Sequence, residues 1–364
     1  MEKTSIVILG DNIVSNILKL LLKKAGVNFI NVALPGKPHS KRYFAIKPSF
    51  IDWFSKTLDF KLAESYLIKK IKIFFNEELI ELDQKQSPFR SLFHIVCSDS
   101  IFKTIHEKLD SSLIRVDNIK DVEFESECKK MTLPDKEVDY ELIINTDFNF
   151  NPLFTIEERN TDFKEHAIVA SFSSEADMSN EARQYFFDEK ILAVLPNSSN
   201  EFSIVFSCKE DEFIKFMNFS DQEFTMYVSS KTCLEKIKLL DKRNSYPLKA
   251  SQAKSTYGDR FILIGDAAHK IHPLAGQGLN LGLDDVKEFY EAIVDGNYRD
   301  YGQRNFIRDY SIKRKHRVAF IYKLTKLIDG MMVQSKFFSP LVRFCSKFVN
   351  RLNFLKQLIV RTVI

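Results

Sequence analysis

Asp266, His269 and the glycine pair Gly276 and Gly278 fall close together in the run Arg260–Asn280, and their types and order suggest two chemical tools. A carboxylate just past the end of a buried strand can hold the hydroxyls of a sugar-like chain, where open α/β sheets bind their ligands. A glycine loop that opens a helix offers free N–H groups and the positive end of the helix dipole to a negative charge. Phe261 to Ile264 supplies the strand and Gly265 ends it. Leu279, Leu283, Val286, Tyr290 and Ile293 then recur at helical spacing up to Gly296. A lone Gly-x-Gly would say no more than a tight turn; the whole run narrows the reading.

The elements that must position this stretch are read from the rest of the chain. Ser5 to Gly10 is a buried-strand pattern, Ile13, Ile17, Leu20 and Leu21 lead a helix to Gly26, and Val27 to Val32 reads as the next strand. This βαβ opening is what a dinucleotide-binding fold requires. Gly10 can make the tight turn. Asn12 stands where a second glycine would let the backbone approach a pyrophosphate, Asp11 puts a carboxylate beside it, and Ala33-Leu34-Pro35 supplies no acid for a ribose. Taken alone, an ordinary βαβ unit explains this region equally well.

Gly265-Asp-x-x-His269-x-x-x-Pro273-x-x-Gly276-Gln-Gly278-x-Asn280 resembles the third flavin motif of the aromatic-ring flavin monooxygenases, which share a para-hydroxybenzoate-hydroxylase-like fold. Within that group it looks most like the ubiquinone-biosynthesis FAD-dependent hydroxylases. The resemblance implies that Gly265, Asp266, Ala275, Gly276, Gln277, Gly278, Leu279 and Asn280 line FAD, with His269 and Pro273 near the reacting ring face. It implies further contacts from Gly10, from Arg42 in Lys41-Arg42-Tyr43, and from Asp147. The family carries Gly-Ala-Asp-Gly around the last of these, where this chain has Asn145-Thr-Asp147-Phe148. A Phe adopts positive φ only at a cost, so the loop is expected to run differently, which bears against NAD(P)H as electron donor.

The fold class expected is α/β. A discontinuous Rossmann-like FAD domain would comprise 1–60, 90–150 and 250–300, and an antiparallel-sheet substrate domain 61–89 and 151–249. A helical C-terminal segment would follow over 301–364. The alternating runs Ala167–Phe172, Ile191–Leu195 and Phe202–Phe206 carry the sheet, Gln222 to Leu239 reads as helix, and the terminal helix is expected to break at Gly330 and Pro340.

With 45% hydrophobic and 28% charged residues in 364, the chain has the composition of a globular protein. Five scattered cysteines without a Cys-x-x-Cys point to a reducing compartment, and the seven histidines show no metal-ligand spacing, so no metal is expected. Residues 301–364 carry 14 basic against two acidic residues, a net of +12, while the remainder is net −8. Leu341, Phe344, Phe348, Leu352 and Leu355 oppose Arg343, Lys347 and Arg351, the pattern of a basic amphipathic helix. Such a helix either docks on its own core or lies on an anionic membrane. No secretory signal or spanning segment is read, and a cytoplasmic protein, peripheral on the inner membrane face, is expected.

The function implied by the resemblance is hydroxylation of a polyprenylated phenol or quinol in ubiquinone biosynthesis, through NAD(P)H-reduced flavin and a flavin hydroperoxide. Partners would be that substrate and a quinone-synthesis complex, with no nucleic acid. The alternative is a flavin-impaired relative acting as an accessory or lipid-binding component of such a complex, favoured by Asn12, Ala33 and Phe148. A geranylgeranyl-reductase-like flavoprotein is a more distant third reading.

Overall fold

The computed structural model describes residues 5–35, 41–75, 78–109, 113–270, 277–296 and 298–333, with 356, 357 and 360; for 277 and 320–333 it describes the backbone alone. Ile6–Leu9 pairs in parallel with Phe29–Ala33 on one side and Leu142–Asn145 on the other. Leu113–Arg115 and Phe261–Leu263 extend the sheet outward, and Tyr257–Gly258 closes one edge as a short hairpin. These strands are near-continuous apolar runs because both faces of the sheet are covered. Ile6 and Ile8 pack under Ile17, Leu21, Val286 and Phe289 of the helices Ile13–Lys24 and Gln277–Asp295. Val7 and Leu9 face Met131, Leu133 and Val138 of a small sheet formed by Glu123–Glu125, Lys130–Leu133 and Lys136–Asp139. Each such leucine or isoleucine contributes about 1.5–3 kcal/mol by leaving water.

Two glycines fix how closely these parts meet. Gly10 turns the chain at φ +113°, and a Cβ there would stand 2.7 Å from Thr146 Oγ1. Gly282 lets Gln277–Asp295 cross the first helix, since its Cβ would meet Val14 Cγ2 at 2.8 Å.

The second layer is a nine-stranded sheet built around the long strand Glu158–Ser174. It is antiparallel apart from Glu181–Phe187, which runs parallel to Lys70–Phe75. Successive residues alternate between its faces. Ile168, Phe172, Leu192, Phe202, Ile204 and Phe206 bury one face against Phe216, Phe224 and Val228 of the helices Glu210–Asn218 and Asp221–Thr232. Alternate positions on the other face are smaller: Ala167, Val169, Ala193, Ser203, Val205 and Ser207. A three-stranded sheet of Tyr43–Ile46, Phe93–Cys97 and Ser65–Ile68 stands opposite.

The α/β class with a second antiparallel sheet and a helical C-terminal segment is what the structure shows, with two local corrections. The helix expected over Gln222–Leu239 ends at Thr232, because Cys233 takes a left-handed conformation at φ 54°, and Ile237–Leu239 pairs as a strand with Phe172–Ser174. The terminal helix Arg304–Val333 runs through Gly330 without a break. One interior glycine costs a helix only about 1 kcal/mol. Pro340 and the amphipathic residues 341–355 lie outside the described residues. Val360 is described, and it is buried among Ile68, Leu82, Phe93 and Ala182.

Candidate active site

Gly265, at φ +61°, turns the chain out of the strand Phe261–Leu263 into one turn of 3-10 helix. Gly265, Ala267 and Ala268 are buried, and the turn between them swings Asp266 out to water. The exposed carboxylate is nonetheless poorly solvated, because the protein crowds around it. Desolvation raises its pKa and Asp147 adds to the rise, while Lys270, His269 and Arg42 oppose it. Residues far apart in sequence thus surround one acid.

The shape of this turn is held from behind by Asp285. Its Oδ2 accepts the Gly265 backbone N–H at 2.9 Å and lies 2.7 Å from His269 Nε2, so one carboxylate oxygen ties both ends of the turn. Oδ1 accepts Arg314 Nε at 2.6 Å, and Arg314 also reaches Glu288 Oε1 at 3.1 Å and the Leu281 carbonyl at 3.2 Å. Burial pushes the Asp285 carboxyl up, but Arg314, His269 and the Gly265 N–H outweigh it and hold it down to about 2. A buried charge survives only when paired and hydrogen-bonded like this. Asn151 adds a second latch, donating to the Ala267 carbonyl at 2.9 Å and to Glu158 at 2.7 Å.

His269, expected near the reacting ring, is 3% exposed and takes part in that clamp. Pro273, Ala275 and Gly276 lie outside the described residues. Gln277 opens the motif helix, and Gly278 and Leu279 are half-buried in its first turn. Asn280 is 1% exposed; its Oδ1 accepts the Lys47 backbone N–H at 3.0 Å and its Nδ2 donates to the Ala45 carbonyl at 2.7 Å. These bonds rivet the motif helix to the strand Tyr43–Ile46 and the residue after it.

Asp147 stands across from Asp266, and its Oδ1 caps a 3-10 helix, Phe148–Leu153, by accepting the Asn149 N–H at 2.9 Å. The Asn145 side chain takes the Asp147 N–H at 3.0 Å. With Phe148 starting that helix, the loop needs no positive φ there and runs differently from a glycine loop. The Lys270 ammonium lies 5.9 Å from the Phe148 ring centroid. Gly10 brings the first turn against Thr146 and Asp147.

Arg42 lies within electrostatic reach of Asp266, and its guanidinium stacks 4.7 Å from the Tyr246 ring. Both residues also line an apolar cavity of about 290 Å³ between the nine-stranded and three-stranded sheets. Ile68, Ile71, Phe93, Ile95, Ile191 and Leu195 supply its larger walls. The cavity and the Asp266 cleft therefore meet at Arg42.

A family profile described as an FAD binding domain matches residues 122–325, more than half the chain. The chain belongs to this FAD binding domain family. The ubiquinone biosynthesis monooxygenase COQ6 of Caenorhabditis elegans is 26% identical over 352 residues, which span 80% of this chain and 77% of that protein. Its counterpart in Rattus norvegicus is 28% identical over 218 residues, 50% of this chain; the match spans only 45% of the rat protein. Klebsiella pneumoniae HpxO, solved with FAD and uric acid, superposes with a TM-score of 0.74 at 12% identity, covering 99% of this chain and 96% of HpxO. The family and the relatives point to an FAD-dependent monooxygenase, and HpxO shares the fold.

FAD fits one end of the cleft and meets an occupied turn at the other. The open Asp266 carboxylate suits the ribityl hydroxyls. At the first turn, by contrast, the Asn12 side chain accepts the Ser15 N–H at 3.0 Å, capping the helix end that would face a pyrophosphate. Among the described residues no group of three potential metal ligands occurs.

The sequence reading missed Asp285, Arg314 and Asn151. A signal for the first was present: Asp284 and Asp285 interrupt the apolar stripe between Leu283 and Val286, and acids there need a buried partner. The cavity also had a signal, in small residues at alternate strand positions.

Proposed function

We propose that the protein hydroxylates the ring of a polyprenylated phenol in ubiquinone biosynthesis; the relatives it resembles are named ubiquinone biosynthesis monooxygenases. The observation that carries this reading is the position of Arg42, which lines the apolar cavity and lies within electrostatic reach of Asp266. When bound, FAD supplies the oxygen chemistry, activating O₂ and passing one oxygen atom to an electron-rich ring. The chain's own residues bind, orient and exclude water. Asp266 holds the ribityl hydroxyls, and Asp285 with Arg314 keeps the turn beneath it in shape. Arg42 marks the passage to the cavity, whose aliphatic walls accept an apolar ring and keep water out. No Ser–His or carboxylate pair is needed for this chemistry.

Single-turnover measurement tests it. FAD-loaded protein is reduced chemically and mixed with O₂ and a prenylated phenol, and the product is read by mass spectrometry. A ring product heavier by one oxygen atom is expected, and hydrogen peroxide alone, with the phenol unchanged, contradicts the reading. Running the reduction with NADH or NADPH then assigns the donor, for which the altered Asp147–Phe148 loop provides no glycine path.

A second reading, an accessory role without stable flavin, is favoured by the capped turn at Asn12. Protein that stays colourless after reconstitution with FAD supports it. Peripheral contact with an anionic membrane through 301–364 belongs with either reading; Lys313 and Lys315 stand exposed on the long helix, and the segment's net charge is +12.

A further inference from the structure

The turn after the first strand spends on itself two of the backbone N–H groups, those of Asn12 and Ser15, that a dinucleotide-binding turn could offer to its ligand. Such turns hold a pyrophosphate because backbone amides at the helix start lack protein partners. Here Asn12 Oδ1 accepts the Ser15 N–H at 3.0 Å, and Ser15 Oγ accepts the Asn12 N–H at 2.8 Å while donating to the Asn12 carbonyl at 2.9 Å. The Asn12 amide nitrogen donates onward to the Thr146 carbonyl at 3.1 Å and to Thr146 Oγ1 at 3.3 Å. The side chain thus bridges the helix start and the neighbouring strand end, across the path a pyrophosphate would take.

The adjoining charges point the same way. The Asp11 carboxylate sits beside this turn, accepts Asn16 Nδ2 at 3.1 Å, and lies 3.9 Å from Lys19 Nζ and 3.7 Å from Arg115 Nη2. Lys19 and Arg115 are therefore already shared with an acid. Asn31, on the strand that should present the ribose, spends its amide on the Ile8 and Gly10 carbonyls at 3.1 and 2.8 Å, and the strand ends at Ala33 with no carboxylate. The other end of the cleft keeps an exposed acid, Asp266, on a turn clamped from behind.

We propose that this chain holds its flavin by the ribityl and ring end, with little affinity drawn from the adenylate, so that FMN binds nearly as well as FAD. The inference rests on the flavin-enzyme reading above and concerns which part of the cofactor is recognised. Asn12 is the residue that sets it. Any pyrophosphate must displace its side chain or do without the Ser15 N–H that it occupies.

Titration of the flavin-free full chain with FAD and with FMN, followed by quenching of flavin fluorescence, tests the proposal without turnover. Dissociation constants within tenfold of one another are expected. Asn12→Gly, which keeps an acceptable helix cap, should raise the preference for FAD at least tenfold by uncovering the Ser15 N–H and clearing the side chain, and Asp11→Ala should act in the same direction. An FAD preference above tenfold in the wild-type chain overturns the proposal. So does a ratio that Asn12→Gly leaves unchanged. Binding of neither flavin overturns it together with the enzyme reading, whereas a strong FAD preference leaves that reading intact.

Discussion

Asp266 carries opposed demands, since a carboxylate at a cleft floor serves a ligand at the expense of the free protein. Its pKa is raised, first by desolvation, so between the ordinary carboxylate value near 3.9 and the raised one the folded chain binds more protons than the unfolded chain. Stability therefore falls as pH rises through that window. Asp266→Asn is expected to raise the melting temperature of flavin-free protein at neutral pH, with the gain disappearing below about pH 4, and to weaken flavin binding at least tenfold. A variant no more stable than wild type at neutral pH contradicts this. Asn280 makes the reverse case. Expected from sequence in the flavin wall, it also bonds the Ala45 and Lys47 backbone. The motif shows that an amide belongs at this position, and only the packing of the strand Tyr43–Ile46 against the helix shows which way it faces. Asn280→Ala removes the partner of the buried Lys47 N–H and one partner of the half-buried Ala45 carbonyl, and should cost about 1–3 kcal/mol in denaturant unfolding.

Among the elements, the clamp behind the motif ties the C-terminal helix to the cofactor turn. Arg314 is the link, reaching from Arg304–Val333 to Asp285 on Gln277–Asp295. Arg314→Leu leaves a buried acid without its main partner, and a loss of about 3–5 kcal/mol is expected. Because Asp285 is held down to about 2, its contribution is complete above the ordinary carboxylate pKa and is lost as pH falls through about 2. The stability difference between wild type and Asp285→Asn should therefore shrink as acid is added below about pH 4, and a constant difference would refute the linkage. The strands and helices of this region were legible because apolar periodicity reports burial. The clamp was not, since its members lie on three segments and pairing of Asp285 with Arg314 depends on how two helices cross. The break expected at Gly330 failed for a related reason: one weak residue does not outweigh the rest of a long helix.

At the scale of the molecule, the two layers were readable from the switch between buried parallel strands and alternating ones, while the cavity between them depended on which face each strand presents. Small residues line that face, and bulky ones anchor the other against helices. Val360 backs the same cavity: it packs on Ile68, Phe93 and Ala182, which also form its wall. Val360→Asp would bury an unpaired charge and should cost more than about 2 kcal/mol, whereas a free tail would tolerate it. Sedimentation with anionic vesicles addresses the basic helix: Lys313→Glu with Lys315→Glu should abolish binding, and unchanged binding contradicts membrane contact through that face. The most direct measurement of the central claim is the visible spectrum of the full chain after reconstitution with excess FAD and removal of free flavin at a matched concentration. A near-stoichiometric flavin band, much reduced in Asp266→Asn, is the expected result. A colourless protein, or a band that Asp266→Asn leaves untouched, would contradict a flavin site built on the Asp266 turn.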